Sequence, residues 1–289
     1  MIKKGIILAG GLGTRMSPLT KAVNKQLLPI YDKPLIYYPL SVLMLAGIKD
    51  ILIIVNKGQL KQFRKILNNG NRFGVKISYL EQSKPRGLPD AFILGKKFIA
   101  NDNVALILGD NFFYGQSLTT KLKQCVKLSS GCKILVHPVN QPSLYGIAFT
   151  NKKNKIISIK EKPKNSKSNL AITGLYFFDN KVIEYSKLLR PSKRNELEIV
   201  DLLNNYRKKN KLTAEYLGRG AAWLDTGSID DFYNTSSFVS ALENRQGFKI
   251  ACLEEIALSY KWIDKKKIKE AINFYGVCNY SNYLKRLVK

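Results

Sequence analysis

Short apolar runs of strand length alternate with helical patterns through the first half of this chain, and nothing else in it constrains the fold as strongly. Lys4–Leu8 is a strand-like run. A glycine-rich turn follows, then a helix near Ile36–Ala46 and a strand at Ile51–Val55. Leu60–Leu67 is helical in pattern, Lys76–Leu80 extended, Ala91–Phe98 helical and Val104–Leu108 extended. Strands separated by helices pair through crossovers, which bring each strand back parallel to the last. The pattern therefore predicts an α/β fold, a Rossmann-like and mainly parallel sheet flanked by helices, with ligands at the carboxyl ends of its strands. Further runs at Lys133–His137, Gly146–Phe149, Ile156–Ile159 and Ile172–Phe178 make the sheet mixed. From Ile229 onward the chain turns helical and lysine-rich, which predicts a C-terminal helical appendage. The expected division is residues 1–227 for the sheet domain and 228–289 for the helical region.

Several function classes are excluded early. A hydrophobic content of 45% is enough for a packed core, so the chain is not disordered. It opens directly on a strand, and its longest apolar stretch, Leu35–Ile48, is too short to span a bilayer and contains Pro39. No membrane insertion and a cytoplasmic location are expected. Cys125, Cys132, Cys252 and Cys278 are scattered without a Cys-x-x-Cys pair, which reads as reduced structural thiols. The single histidine, His137, leaves no material for Ser-His or Cys-His catalysis or for a His-rich metal site. The formal charge of +27 would suit a polyanion binder, but the basic residues are spread along the chain without a nucleic-acid-binding motif. A solvated lysine surface is the expectation, with weak nucleic-acid binding at low salt and no specific nucleic-acid partner.

The strongest local signal is Leu8-Ala9-Gly10-Gly11-Leu12-Gly13-Thr14-Arg15, directly after the first strand. Glycines let the backbone turn tightly and present N–H groups to phosphate oxygens. The spacing is neither the G-x-G-x-x-G of dinucleotide binders nor a Walker A loop. Its basic end is Arg15, and Lys25 and Gln26 follow ten residues on, which together describe a loop built for a polyphosphate.

These residues, continued by Lys25-Gln26-Leu27-Leu28-Pro29 and Asp32-Lys33-Pro34, resemble the signature of the sugar nucleotidyltransferase family. The resemblance covers nearly the whole chain. It continues through Leu108-Gly109-Asp110-Asn111, Glu161-Lys162-Pro163, Thr173-Gly174-Leu175-Tyr176 and Arg194-x-Glu196-Leu197-Glu198. It goes on with Gly218-Arg219-Gly220 and Trp223-Leu224-Asp225-Thr226-Gly227, and extends to Arg245-Gln246-Gly247 and Glu254-Glu255-Ile256. Within the family the likeness is to the branch that joins glucose 1-phosphate to dTTP and releases pyrophosphate. In that reaction two anions approach each other, and each unit pair at 4 Å repels by about 4 kcal/mol at an effective dielectric of 20. Arginine, lysine and a divalent cation are the natural remedies.

The resemblance implies Mg²⁺ held by Asp110 and Asp225, with Arg15 and Lys25 on the triphosphate as the catalytic cations. It implies a nucleotide site made of Leu8, Gly10, Gly11, Gly13, Thr14, Gln26, Gln82 and Gly87. The sugar phosphate would meet Tyr145, Gly146, Glu161, Lys162, Ile172 and Arg194. It further implies a homotetramer and a feedback site for a nucleotide-sugar ligand at Tyr114, Gly115, Arg219, Lys249 and Ile250. The segment Lys84-Pro85-Arg86-Gly87-Leu88-Pro89-Asp90 departs from the family pattern, with Pro89-Asp90 where Ala-Gln is usual. Two alternatives stay open: a UTP-using enzyme of the same superfamily, and a catalytically silent homologue that binds nucleotide or nucleic acid.

Overall fold

The computed structural model describes residues 1–151 and 155–289. The chain runs through β1 (Lys4–Ala9), β2 (Pro29–Ile30), β3 (Lys33–Pro34), α1 (Tyr37–Leu45), β4 (Asp50–Asn56), α2 (Leu60–Leu67) and β5 (Lys76–Gln82). It continues with α3 (Asp90–Leu94), α4 (Lys96–Ile99), β6 (Val104–Leu108), β7 (Asn111–Gly115), α5 (Leu118–Cys125), β8 (Cys132–Pro138), β9 (Gly146–Thr150) and β10 (Ile156–Glu161). The last part holds β11 (Leu170–Phe178), α6 (Val182–Lys187), α7 (Ile199–Lys208), β12 (Leu212–Tyr216), β13 (Ala221–Asp225), α8 (Ile229–Gln246), α9 (Leu253–Ser259), α10 (Lys265–Tyr275) and α11 (Asn279–Val288). Every expected strand forms, with its ends within two residues of the sequence reading.

Among the described residues the main sheet takes the order β10-β9-β11-β6-β1-β4-β5, and β8 pairs with both β11 and β12. β6, β1, β4 and β5 are parallel, while β11 runs antiparallel to β6, β8 and β9. The sheet is thus mixed, as expected, and its parallel half carries β1 at its centre. Two apolar layers cover it. Alternating residues of β1 show why: Ile7 and Ala9 enter one cluster with α1, and Ile6 enters the other with Phe92 of α3.

α1 is buried from Tyr37 to Met44, because it lies between the sheet and the C-terminal helices and has no solvent face. Cys252, Leu253, Ala257, Ile268 and Leu284 of the C-terminal region belong to the same core as β1 and α1. The helix expected at Ala91–Phe98 forms as two pieces broken at Gly95. A Cβ there would stand 3.2 and 3.3 Å from the Ile6 and Leu52 side chains, so the helix bends where it touches the sheet. All four cysteines are free, and three of them are buried.

Candidate active site

The phosphate loop leaves the carboxyl end of β1, flanked by β4 and β6. Gly11 and Gly13 adopt φ of +121° and +58°, which a side chain would resist. Asn56, at the end of β4, holds the loop from below: its Oδ1 accepts from Gly11 N at 3.1 Å, and its Nδ2 donates to Gly11 O at 2.9 Å. Thr20 donates its hydroxyl to Gly13 O at 2.8 Å. Asn24 then sets the next turn by donating to Ala9 O and accepting from Gln26 N. That turn delivers Lys25, 7% exposed, to Asp110, with Nζ 2.8 Å from Oδ2.

A cavity of about 180 Å³ opens between these parts. Gly10, Gly11, Gly13, Thr14, Arg15, Lys25, Gln26 and Asp110 line it, so the structure brings together most of the expected nucleotide residues. Leu8 is half-buried within β1 and outside that lining. Gln26 is 5% exposed and lines the cavity, and its buried Oε1 has no hydrogen-bond partner among the described residues. Met16 and Gly227 complete the wall and were missed from sequence. Gly227 was findable in principle from its place in Asp225-Thr226-Gly227; a Cβ there would stand 3.1 Å from the Arg15 guanidinium and 3.1 Å from Asp225 Oδ2.

Asp225 ends β13, which pairs antiparallel with β7 so that Asp225 lies opposite Asn111, next to Asp110. Burial and the neighbouring Asp110 carboxylate push Asp225 up to about 6, against the pull of Lys25 and Arg15. Two aspartates and two cations therefore share one small volume. Among the described residues no group of three or more His, Cys, Asp or Glu side chains could enclose a metal.

Gln82 and Gly87 are both outside the cavity lining, and only Gln82 is brought against the phosphate loop. The Gln82 amide lies hard against the loop, so that a Cβ on Gly10 would come within 1.7 Å of its Nε2. Gly87, at φ +94°, bridges to Leu197 and so docks the Arg194–Glu198 stretch beside the Lys84–Asp90 segment. The sugar-phosphate set gathers at β9, β10 and β11. Gly146 and Glu161 are register partners, and a Cβ on Gly146 would stand 3.2 Å from Glu161 Oε2 and 3.8 Å from Ile172 Cδ1. Burial raises Glu161, with Lys162 pulling the other way. Lys162 N donates to Tyr145 O at 3.0 Å, and the Tyr145 ring packs edge-on against Trp223 at 5.2 Å. Arg194 is 58% exposed at its side chain and forks onto Glu198, with contacts of 2.8 and 3.0 Å.

A second cavity of about 330 Å³ is lined by Tyr114, Gly115, Lys249 and Ile250, together with Phe248, Cys252 and Glu255. Arg219 lies outside that lining, on the exposed turn before β13.

A glycine loop at the carboxyl edge of a parallel sheet, facing two cations and two carboxylates, defines a protein that handles a nucleoside triphosphate. The chain belongs to the nucleotidyl transferase family, whose model matches residues 4–241. It is 50% identical over 286 residues to the glucose-1-phosphate thymidylyltransferase of Neisseria meningitidis serogroup A, covering 99% of each chain. Its fold is similar to a crystal structure from Bacillus anthracis assigned as a glucose-1-phosphate thymidylyltransferase, in complex with sucrose. That likeness has a TM-score of 0.75 and 39% identity over 81% of this chain and 94% of that one. It is also similar to a UDP-glucose pyrophosphorylase complexed with UDP-glucose, at a TM-score of 0.73 and 27% identity over 85% of this chain and 100% of that one.

Proposed function

We propose that this chain is a glucose-1-phosphate thymidylyltransferase, joining glucose 1-phosphate to dTTP and releasing pyrophosphate. The observation that carries the reading is the pairing of a phosphate loop with Arg15, Lys25, Asp110 and Asp225 around one cavity, in a chain 50% identical end to end to an enzyme of that name. A phosphate oxygen of glucose 1-phosphate attacks the α-phosphorus, and the bond from that phosphorus to the bridging oxygen breaks. Pyrophosphate leaves with the electron pair. The nucleophile is already an anion, so no general base is needed, which accords with a lone histidine that is half-buried with its ring edge-on to Trp223.

The residues of this chain bind, orient and neutralise. The loop amides of Gly10–Gly13 and the Arg15 guanidinium take the triphosphate, and Lys25 balances charge at the leaving side. Gln26 and Gln82 face the nucleoside, with Gly87 shaping that wall. Glu161 accepts sugar hydroxyls, Lys162 meets the sugar phosphate, and Tyr145, Gly146 and Ile172 form the pocket. Arg194 reaches the phosphate by leaving Glu198. Asp110 and Asp225 fit Mg²⁺: they are hard oxygen donors, and their mutual repulsion is what a divalent cation relieves. When bound, the ion supplies neutralisation of the phosphate oxygens.

Residues 1–227 form the catalytic part in this reading, and 228–289 the helical part that supports self-association into a homotetramer. The cavity at Tyr114 and Lys249 takes a feedback nucleotide-sugar. A cytoplasmic location belongs to the same reading, and no described helix is long and apolar enough to cross a membrane.

Pyrophosphate release with glucose 1-phosphate and Mg²⁺, comparing dTTP with UTP, tests the reading. Strong dTTP-dependent release is expected. A preference for UTP moves the enzyme to the uridylyl class, and a folded protein that releases none with either triphosphate overturns the activity.

A further inference from the structure

Asn111 is 2% exposed beside Asp110, and the reaction as proposed makes no use of it. Its side chain joins three elements. The carbonyl oxygen Oδ1 accepts from Gly174 N of β11 at 3.1 Å and from Trp223 Nε1 of β13 at 2.6 Å. A backbone N–H and an indole N–H can only donate, so the orientation of the amide is forced. Its oxygen faces those two donors, and its NH₂ group must point the other way. There it meets Asp110 Oδ1 at 3.2 Å. Lys25 Nζ takes the other carboxylate oxygen at 2.8 Å. Thr226 holds the Asp110 carbonyl with both its N–H, at 3.2 Å, and its hydroxyl, at 2.8 Å. The main chain and both carboxylate oxygens of Asp110 are thus fixed.

The neighbours are shaped around this amide. A Cβ at Gly174 would fall 2.7 Å from Asn111 Cγ, so any larger residue there would push the amide out of place. Trp223, whose indole fixes the amide, also packs on Tyr145 at the sugar wall. One buried side chain therefore ties the acidic pair to the pocket beyond it.

We propose that Asn111 is a positioning residue for nucleotidyl transfer, holding the Asp110 carboxylate in its working orientation through a donor that is available because the amide oxygen is already engaged. The proposal rests on the function given above. A purely structural role would need only the two bonds that Asn111 accepts. Asn111→Asp separates the two roles where it is ionised: its carboxylate still accepts from Gly174 and Trp223 but has no hydrogen to give Asp110, whereas the protonated acid still donates, so the kcat deficit should deepen as pH rises.

The test measures steady-state rates of full-length wild type and Asn111→Asp with dTTP and glucose 1-phosphate, and follows the Trp223 indole N–H resonance by NMR. The expected result is an indole signal near its wild-type position, KM values within about threefold, and kcat lower by about 30- to 100-fold. An Asn111→Asp protein with a wild-type kcat and an intact indole signal overturns the proposal. Should that variant fail to fold, Trp223→Phe removes one of the two donors while keeping a ring in place. A threefold to tenfold loss of kcat at constant dTTP KM supports the proposal, and an unchanged kcat overturns it. Wild type inactive with both triphosphates removes the functional reading, and this proposal with it, and is distinct from either variant result.

Discussion

Replacing Asp225 by asparagine is expected to stabilise the metal-free protein while abolishing turnover. The carboxylate is pushed up to about 6 from an ordinary 3.8 by burial and by Asp110. Between those two values the folded state holds a proton that the unfolded state has released, so stability falls as pH rises through that window. The full cost above it is about two pH units at 1.36 kcal/mol each, or roughly 3 kcal/mol at pH 7.5 and about half that at pH 5. Asparagine keeps the shape and removes the charge, so Asp225→Asn should gain 1 to 3 kcal/mol at pH 7.5, about half that at pH 5, and nothing below about pH 3.8. For a chain of this size about 3 kcal/mol corresponds to roughly 5 °C in Tm. Thermal unfolding in chelator at pH 5 and pH 7.5 reads the effect. Adding Mg²⁺ with dTTP should raise the Tm of wild type more than that of the variant, because only wild type keeps both carboxylates. A variant that is no more stable than wild type at pH 7.5, or whose gain is the same at both pH values, would refute the electrostatic account of this site.

Three further outcomes are expected. Lys25→Met removes the cation 2.8 Å from Asp110 and should lower kcat/KM for dTTP by about 10² to 10³, and a loss under tenfold in steady-state assays would count against its role. Gly10→Ala places a Cβ 1.7 Å from the Gln82 amide, which must swing away. The KM for dTTP should rise with a cost of about 1 to 3 kcal/mol in stability, and an unchanged KM and urea midpoint would show that Gln82 has no part in the site. Lys162→Ala should raise the KM for glucose 1-phosphate while leaving dTTP binding alone, which product-release kinetics with each substrate varied in turn will decide.

The strands were legible because runs such as Ile51–Val55 and Val104–Leu108 are short, β-branched or aliphatic, and bounded by polar residues. The break at Gly95 was not, and the tight space that favours glycine there comes from Ile6 and Leu52 on a distant part of the sheet. The loop and its cations were legible for a local reason: Gly10–Arg15 and Lys25 are near one another in sequence as well as in space. What shapes the loop was hidden. Asn24 and Asn56 look like ordinary turn residues, yet their amides pin Ala9 and Gly11 across 15 and 45 positions. Resemblance supplied Gln82 and Gly87, and geometry gives them different neighbours, one against Gly10 and one against Leu197. It also supplied Arg219, which is separate from the cavity that Tyr114, Gly115, Lys249 and Ile250 share. Single-residue roles depend on side-chain direction, which strand period and motif spacing leave open for exposed turns.

The net charge of +27 and the charge of the site do not follow one another. Around the cavity, Arg15 and Lys25 are matched by Asp110 and Asp225, so the cleft carries cations and carboxylates in equal number although the molecule is strongly basic. A site for a bare polyanion would keep its cations unopposed, as phosphate-tracking nucleic-acid surfaces do. On the reading proposed above, two carboxylates beside two cations suit a triphosphate that arrives with a divalent ion better than a naked one. The surplus lysines act at longer range, where a positive field raises the encounter rate of anionic substrates and is screened by salt. Encounter and chemistry thus have different charge requirements, and the sequence meets them in different places: diffuse lysine over the surface, and a balanced quartet in the cleft.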